Sequence, residues 1–208
     1  MASYTQNTCV NPRELVCSQP QFPDTSSLGR ADLHYPPPTP QSIMNGEYCE
    51  SVSYPTRVEY VPLSSKYCRE PPSFTIPFTV QGTIGPCLYS VLRREVTIDG
   101  AYLAAFKAYG WSMTKWTFDW PGLKTDRMGL WCHNNRKEPL TCDELIREIG
   151  TLIVEIMRKS RKGDPKYRQS NDIPHCWRFE NINLRDIRFV SLNYYKGVWV
   201  PILAVTRY

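Results

Sequence analysis

Five soft metal ligands fall between Cys132 and Cys176: Cys132, His133, Cys142, His175 and Cys176. Thiolate and imidazole are the donors of zinc sites, but structural zinc pairs its ligands two to four residues apart. Neither a C-x₂-C nor an H-x₃-H pair occurs here, so the expectation is buried or surface thiols, ordinary histidines and no metal. Acid–base chemistry has little to work with, since His34, His133 and His175 are the only imidazoles. The G-x-S-x-G elbow, the Walker loop and the H-E-x-x-H helix are all missing. A Cys132–His175 couple would suit nucleophilic catalysis, yet its spacing singles out nothing. The chain reads as a non-enzyme that needs no cofactor.

Charge is more informative. The run Arg158, Lys159, Arg161, Lys162, Lys166 and Arg168 sets six cations against the single acid Asp164. Such a run can neutralise RNA phosphates with release of counterions. It can equally hold anionic lipid headgroups, at about 1 kcal/mol per basic residue. Part of it is explained by the preference of helix ends for cations. Arg136, Lys137, Arg185 and Arg188 are candidates to extend the patch, and Tyr167 and Trp177 to stack on bases if the ligand is RNA.

A second set of residues suits peptide recognition. Pro36, Pro37, Pro38 and Pro40 make a polyproline II segment preorganised for aromatic-lined grooves such as those of WW-type modules. Tyr60 and Leu63 form a Y-x-x-L tetrapeptide in an extended stretch.

These groups must be carried by two unequal parts. Of the 18 prolines, twelve lie in residues 1–77, where each fixes φ and removes a backbone donor. Residues 1–72 hold five Lys/Arg and seven Asp/Glu, net −2, whereas 73–208 hold 20 and 13, net +7. The expected organisation is a mostly extended, proline-rich arm over 1–72 and a compact basic domain over 73–208. No apolar run is long enough to span a bilayer, and no signal peptide is expected at the N-terminus. Eight cysteines without a secretory signal predict reduced thiols.

Within the domain, Phe74 to Val80 predicts a strand that Pro77 confines to an edge or bulge. Cys87 to Val96 predicts a second extended run. A short helix is expected from an Asp99 cap to Gly110, with Leu103, Phe106 and Tyr109 on one face. Trp111 to Trp120 reads as a strand and 121–139 as loop. Thr141 and Glu144 form a capping box for a helix running to about Ser160, with Leu145, Ile149, Leu152 and Ile156 as its core stripe. Arg188–Tyr195 and Val198–Thr206 predict a hairpin turned at Lys196-Gly197. Val190, Leu192 and Tyr194 are placed on one face, opposite Phe189, Ser191 and Asn193. The fold class is α+β: a mainly antiparallel sheet packed with two or three helices, preceded by the arm.

This layout resembles the matrix proteins of rhabdoviruses. The residues that carry the likeness are the proline cluster at 36–40 and Glu59-Tyr60-Val61-Pro62-Leu63, similar to that family's late-budding stretch. The strand at Phe74–Val80, Arg188-Phe189-Val190-Ser191-Leu192 and Gly197-Val198-Trp199-Val200 complete it. The resemblance implies a structural protein of the virion and host cytoplasm, bound to the inner face of the host membrane. It implies self-association, contact with nucleocapsid or RNA, and recruitment of host budding machinery through the arm. Two departures are visible. Residues 1–30 contain only Arg13 and Arg30 where the family often carries a lysine-rich tail, and no P-P-x-Y motif is present. Membrane contact then falls to Arg158–Arg168, and recruitment to the proline cluster or to Tyr60 and Leu63. A small RNA-binding or host-antagonist protein using the same basic run is the alternative.

Overall fold

The computed structural model describes residues 48–50, 57–69 and 71–207; Pro36, Pro37, Pro38 and Pro40 lie outside them. In chain order the strands are β1 (Tyr48–Glu50), β2 (Arg57–Tyr60), β3 (Phe74–Pro77), β4 (Thr79–Val80), β5 (Thr83–Ile84), β6 (Met113–Trp116), β7 (Met128–Trp131), β8 (Ile187–Tyr195) and β9 (Val198–Arg207). Three α-helices are described: α1 (Ser65–Cys68), α2 (Leu88–Leu92) and α3 (Cys142–Arg161). The architecture is α+β, with a mixed but mostly antiparallel sheet.

The expected hairpin is the centre of that sheet. Lys196 and Gly197 both take positive φ, 44° and 89°, the backbone that matches the right-handed twist of the flanking strands. One edge of β9 pairs with β8 along its length, and β8 in turn pairs with β3. The other edge is divided between β6, parallel at Trp116–Trp199, and β2, antiparallel from Arg57 to Tyr60. Trp199 and Leu203 turn their carbonyls to that second edge, accepting from Thr117 and Val61 N–H. Pro201 lies midway between them, so its missing donor falls where β6 has ended and β2 has not begun.

Both faces of the hairpin are buried, which is why β9 reads as an almost unbroken apolar run. Trp199, Leu203 and Val205 join one core with α3, Phe78 and Phe118, while Val198, Val200, Ile202 and Ala204 join a second core. In β8 a bulge between Phe189 and Ser191 changes the expected faces. Phe189, Leu192 and Tyr194 now share the first face, and Val190 and Tyr195 belong to the second. An inserted residue reverses the side-chain alternation beyond it, and the residue pattern alone does not show where it sits.

The second core is closed by residues 57–69, which the sequence places in the arm. Tyr60, Leu63, Tyr67 and Cys68 are all buried against the β8–β9 face, and the Tyr67 and Tyr195 rings lie 5.6 Å apart. The boundary drawn at 72 therefore cuts through the folded part. Under this cover runs a polar chain: Ser191 Oγ donates to Asn193 Oδ1 (3.0 Å), and Asn193 Nδ2 donates to the Tyr195 hydroxyl (3.2 Å).

Helix α3 covers the first face as expected. Thr141 Oγ1 accepts from Glu144 N–H, and the Glu144 carboxylate accepts from Thr141 N–H. The buried stripe is Leu145, Ile146, Ile149, Ile153, Ile156 and Met157; Leu152 is only partly buried. Other expectations change. Leu88, Val91 and Leu92 are spaced for a helix face, so 88–92 is α2 and not an extended run. Residues 99–110 form turns ending in a 3₁₀ turn at Lys107–Tyr109, with Gly110 left-handed. Asp99 caps no helix; its carboxylate accepts from Thr79 Oγ1, Gln81 N–H and Gly82 N–H and holds the β4–β5 turn. The stretch read as loop contains β7, paired with β6.

Helix α2 meets α3 at Gly150, where a Cβ would lie 2.6 Å from Leu88 Cδ1 and 3.3 Å from Leu92 Cδ2. Arg147 fastens the same contact by donating to the Val91 carbonyl and pairing with Asp143 at 2.8 Å. Gly150→Ala is expected to destabilise the protein by about 1–3 kcal/mol through overpacking, despite alanine's better helix propensity. Chemical denaturation measures this, and an unchanged midpoint would show that Leu88 yields freely.

Candidate anion-binding surface

The cations of the basic run are presented by one local motif, the end of α3 and its return. Gly163 takes φ +79° with open space around it and donates to Ser160 O, while Asp164 N–H reaches back to Lys159 O. This left-handed exit turns the chain sharply. The Asp164 carboxylate accepts from Lys166 N–H and begins a 3₁₀ turn at Pro165–Tyr167. The turn folds against the helix end, leaving Lys159 and Lys166 with Nζ 5.6 and 5.5 Å from the Tyr167 ring centroid.

The six expected site residues then divide by what holds them. Arg158, Lys162, Lys166 and Arg168 are exposed, and none forms an ion pair among the described residues. Lys159 pairs with Glu155 at 2.9 Å, one helical turn earlier, which holds its ammonium above the usual lysine range. Arg161 is exposed too, but its guanidinium is tied to the fold: Nε donates to Phe179 O (2.9 Å) and Nη2 to Ile182 O. It ties the end of α3 to the 3₁₀ turn at Phe179–Asn181 and to Ile182, which closes that turn.

Beside Arg161 lies an open groove of about 600 Å³ between Tyr89 on α2 and residues 180–185. The Arg93 and Arg185 guanidinium carbons sit 5.5 and 5.2 Å from the Tyr89 ring centroid, and Arg93 Nη1 donates to the Tyr89 hydroxyl at 3.0 Å. Hydrogen bonds from Arg93 and then Arg185 hold this phenol below the usual tyrosine range. Arg185 is fixed by its backbone: Asn183 Oδ1 accepts from its N–H, and Cys87 Sγ donates to its carbonyl. Of these residues only Arg161 and Arg185 were legible in the sequence. Tyr89 and Arg93 belong to a segment read as a strand, where their relation to Arg185 carries no sequence signal.

Other expected groups are placed elsewhere. Arg136 and Lys137 flank the opposite end of α3, where Asn134 contacts Glu144, roughly 30 Å away for a helix of this length. Arg188 spends its guanidinium on Thr206 Oγ1 and Gly85 O. Trp177 is buried against Trp120 and beneath Arg207, so it offers no base a free face. Tyr60 and Leu63 are each 7% exposed; the Y-x-x-L tetrapeptide is lodged in the fold and is not displayed for a partner. Among the described residues no three of His, Cys, Asp and Glu are placed to hold a metal. Burial pushes the Cys132 thiol up to about 11 and raises Cys68 and Cys142 as well, which disfavours the nucleophilic thiolate.

One partly buried carboxylate carries no signal in the sequence. Asp119 Oδ2 accepts from Ser64 N–H at 2.6 Å and so pins the start of α1 over the second core. Desolvation raises its pKa against the opposing hydrogen bonds from Ser64 and the charge of Lys66.

No protein-family model, curated protein or solved structure matches the chain. Among the described residues no helix is long and apolar enough to cross a membrane.

Arg161→Ala should cost about 1–3 kcal/mol, because it strands two carbonyls, whereas Lys162→Ala should stay within about 0.5 kcal/mol. Paired thermal melts distinguish the two roles, and equal effects would contradict the division. For Asp119 the raised native pKa means that its contribution is fully present below the unfolded value of 3.8 and is lost as pH rises through the native value. Asp119→Asn keeps an acceptor for Ser64. It should melt with the parent at about pH 3 and a few degrees above it at pH 7; a lower melting point at pH 7 would show that the carboxylate's charge stabilises this contact.

Proposed function

We propose that this chain is a viral matrix-like structural protein that self-associates, binds anionic membrane and nucleocapsid, and supports assembly and budding at the inner face of the host membrane. The observation that carries the reading is the exposed set Arg158, Lys162, Lys166 and Arg168, without an ion pair among the described residues and carried by the end of α3 and the 3₁₀ turn that follows it. Cations held on a stiff support without acidic partners lose little on meeting a negatively charged surface. The family resemblance of the hairpin and of Glu59–Leu63 supplies the biological setting. Recruitment of WW-type or other budding proteins is assigned to Pro36, Pro37, Pro38 and Pro40, since Tyr60 and Leu63 would have to leave the second core to be read.

Tyr167, half-buried between Lys159 and Lys166, favours RNA as a second ligand of the same surface, because a ring flanked by cations can stack on a base. Flotation with phosphatidylserine vesicles at low and high salt, with RNA as competitor, separates the two. The expected result is salt-sensitive flotation that RNA displaces poorly. Replacing Arg158, Lys162, Lys166 and Arg168 by Gln should weaken it by about 4 kcal/mol, on the order of a thousandfold, with the melting point unchanged. Flotation that survives the fourfold change removes the assigned surface. Tight RNA binding without flotation favours the RNA-binding reading.

A further inference from the structure

We propose that the groove between α2 and residues 180–185 is a binding site for a phosphate monoester, gripped by the guanidinium groups of Arg161 and Arg185 with the Tyr89 hydroxyl. It deepens the membrane-binding reading, and rests on it, by naming the headgroup class that the basic surface would select.

The charge balance of the groove is the first argument. Arg161 is held by two neutral carbonyls and Arg185 by the face of Tyr89, and neither pairs with a carboxylate among the described residues. Glu180 is the acid on the rim, and it faces Arg178 at 3.8 Å. Arg93 stands behind the phenol and pairs with Glu95 at 2.8 Å. The groove therefore carries two guanidinium groups without a carboxylate partner among the described residues, one held by two carbonyls and one resting on a ring, so part of the cost of ordering them is met before a ligand binds.

Geometry gives the ligand class. Planar guanidinium groups present parallel N–H pairs that match the oxygens of carboxylates and phosphates; Arg161, with Nε and Nη2 given to carbonyls, turns Nη1 to a ligand, while Arg185 makes no carbonyl contact of this kind among the described residues. Two of them beside a hydroxyl suit a terminal phosphate with three free oxygens better than a diester with two. A volume of about 600 Å³ accommodates the ester and its first carbons. Arg161 is also the last residue of α3, so the groove opens beside Arg158 and Lys162, where a bound bilayer would bring its headgroups. Internal RNA phosphates are diesters, which places RNA among the outcomes to be excluded.

The experiment compares the full chain on phosphatidic acid vesicles, a monoester surface, with phosphatidylserine vesicles of equal surface charge. Calorimetry with glycerol 3-phosphate tests the free ester. Phosphatidic acid should be preferred by about tenfold, the worth of one charge-assisted hydrogen bond. Arg185→Gln should erase the preference while leaving phosphatidylserine binding intact, and Arg185→Lys, which retains the charge but not the fork, should do the same. Neutralising Arg158 and Lys162 should weaken both vesicle types alike. Saturable, Arg185-dependent binding of glycerol 3-phosphate would extend the site to soluble esters, and preference on vesicles alone would restrict it to lipid. Equal binding to the two surfaces with no binding of glycerol 3-phosphate overturns the site, as does an Arg185→Gln effect of the same size on both surfaces. Loss of all vesicle binding with glycerol 3-phosphate still bound would instead overturn the membrane reading and leave the groove standing.

Discussion

The β8–β9 hairpin is apolar on both faces, and covering those faces places the rest of the molecule. A sheet with one wet face needs a single covering layer; this one needs two. Helix α3, with α2 locked against it at Gly150, fills one side. Residues 57–69 fill the other. Each cover is fastened by a polar group reaching across: Arg147 to Val91 O on the helical side, Asp119 to Ser64 N–H on the other. The bulge in β8 then decides which side chains meet which cover, bringing Phe189 under α3 and turning Ser191, Asn193 and Tyr195 toward the opposite core.

The basic surface is a by-product of this covering scheme. Helix α3 has to end somewhere, and its buried stripe extends to Met157, so the cations after it project beyond the core. Arg161 is the link between structure and surface. Its carbonyl contacts hold Phe179 and Ile182, and the turn that follows carries Arg185 to the face of Tyr89. One arginine of a run that looks uniform in sequence is thus structural, while its neighbours Arg158 and Lys162 answer to solvent. The fate of Tyr60 and Leu63 makes the same point from the other side, since a short motif matters as a ligand only where the fold leaves it exposed.

What the residues determined by themselves was local. The capping box, the length of α3, the Lys196-Gly197 turn and the edge character of β3 all follow from interactions within a few residues, so their signals survive in the chain. The α+β class and the basic run were legible for the same reason. Tertiary structure decided what depends on distant partners. Pairing with β9 drew residues 57–60 out of the presumed arm, because a two-faced hairpin left uncovered would expose a large apolar surface to water. The continuous apolar run of β9 was the signal for that second cover, although nothing in it said which segment would supply the cover. The meeting of Tyr89, Arg93, Arg161 and Arg185 left no trace in spacing at all, because such charged and polar side chains carry no periodic burial pattern, and only the packing of α2 and the 180–185 turns around the end of α3 brings them to one groove.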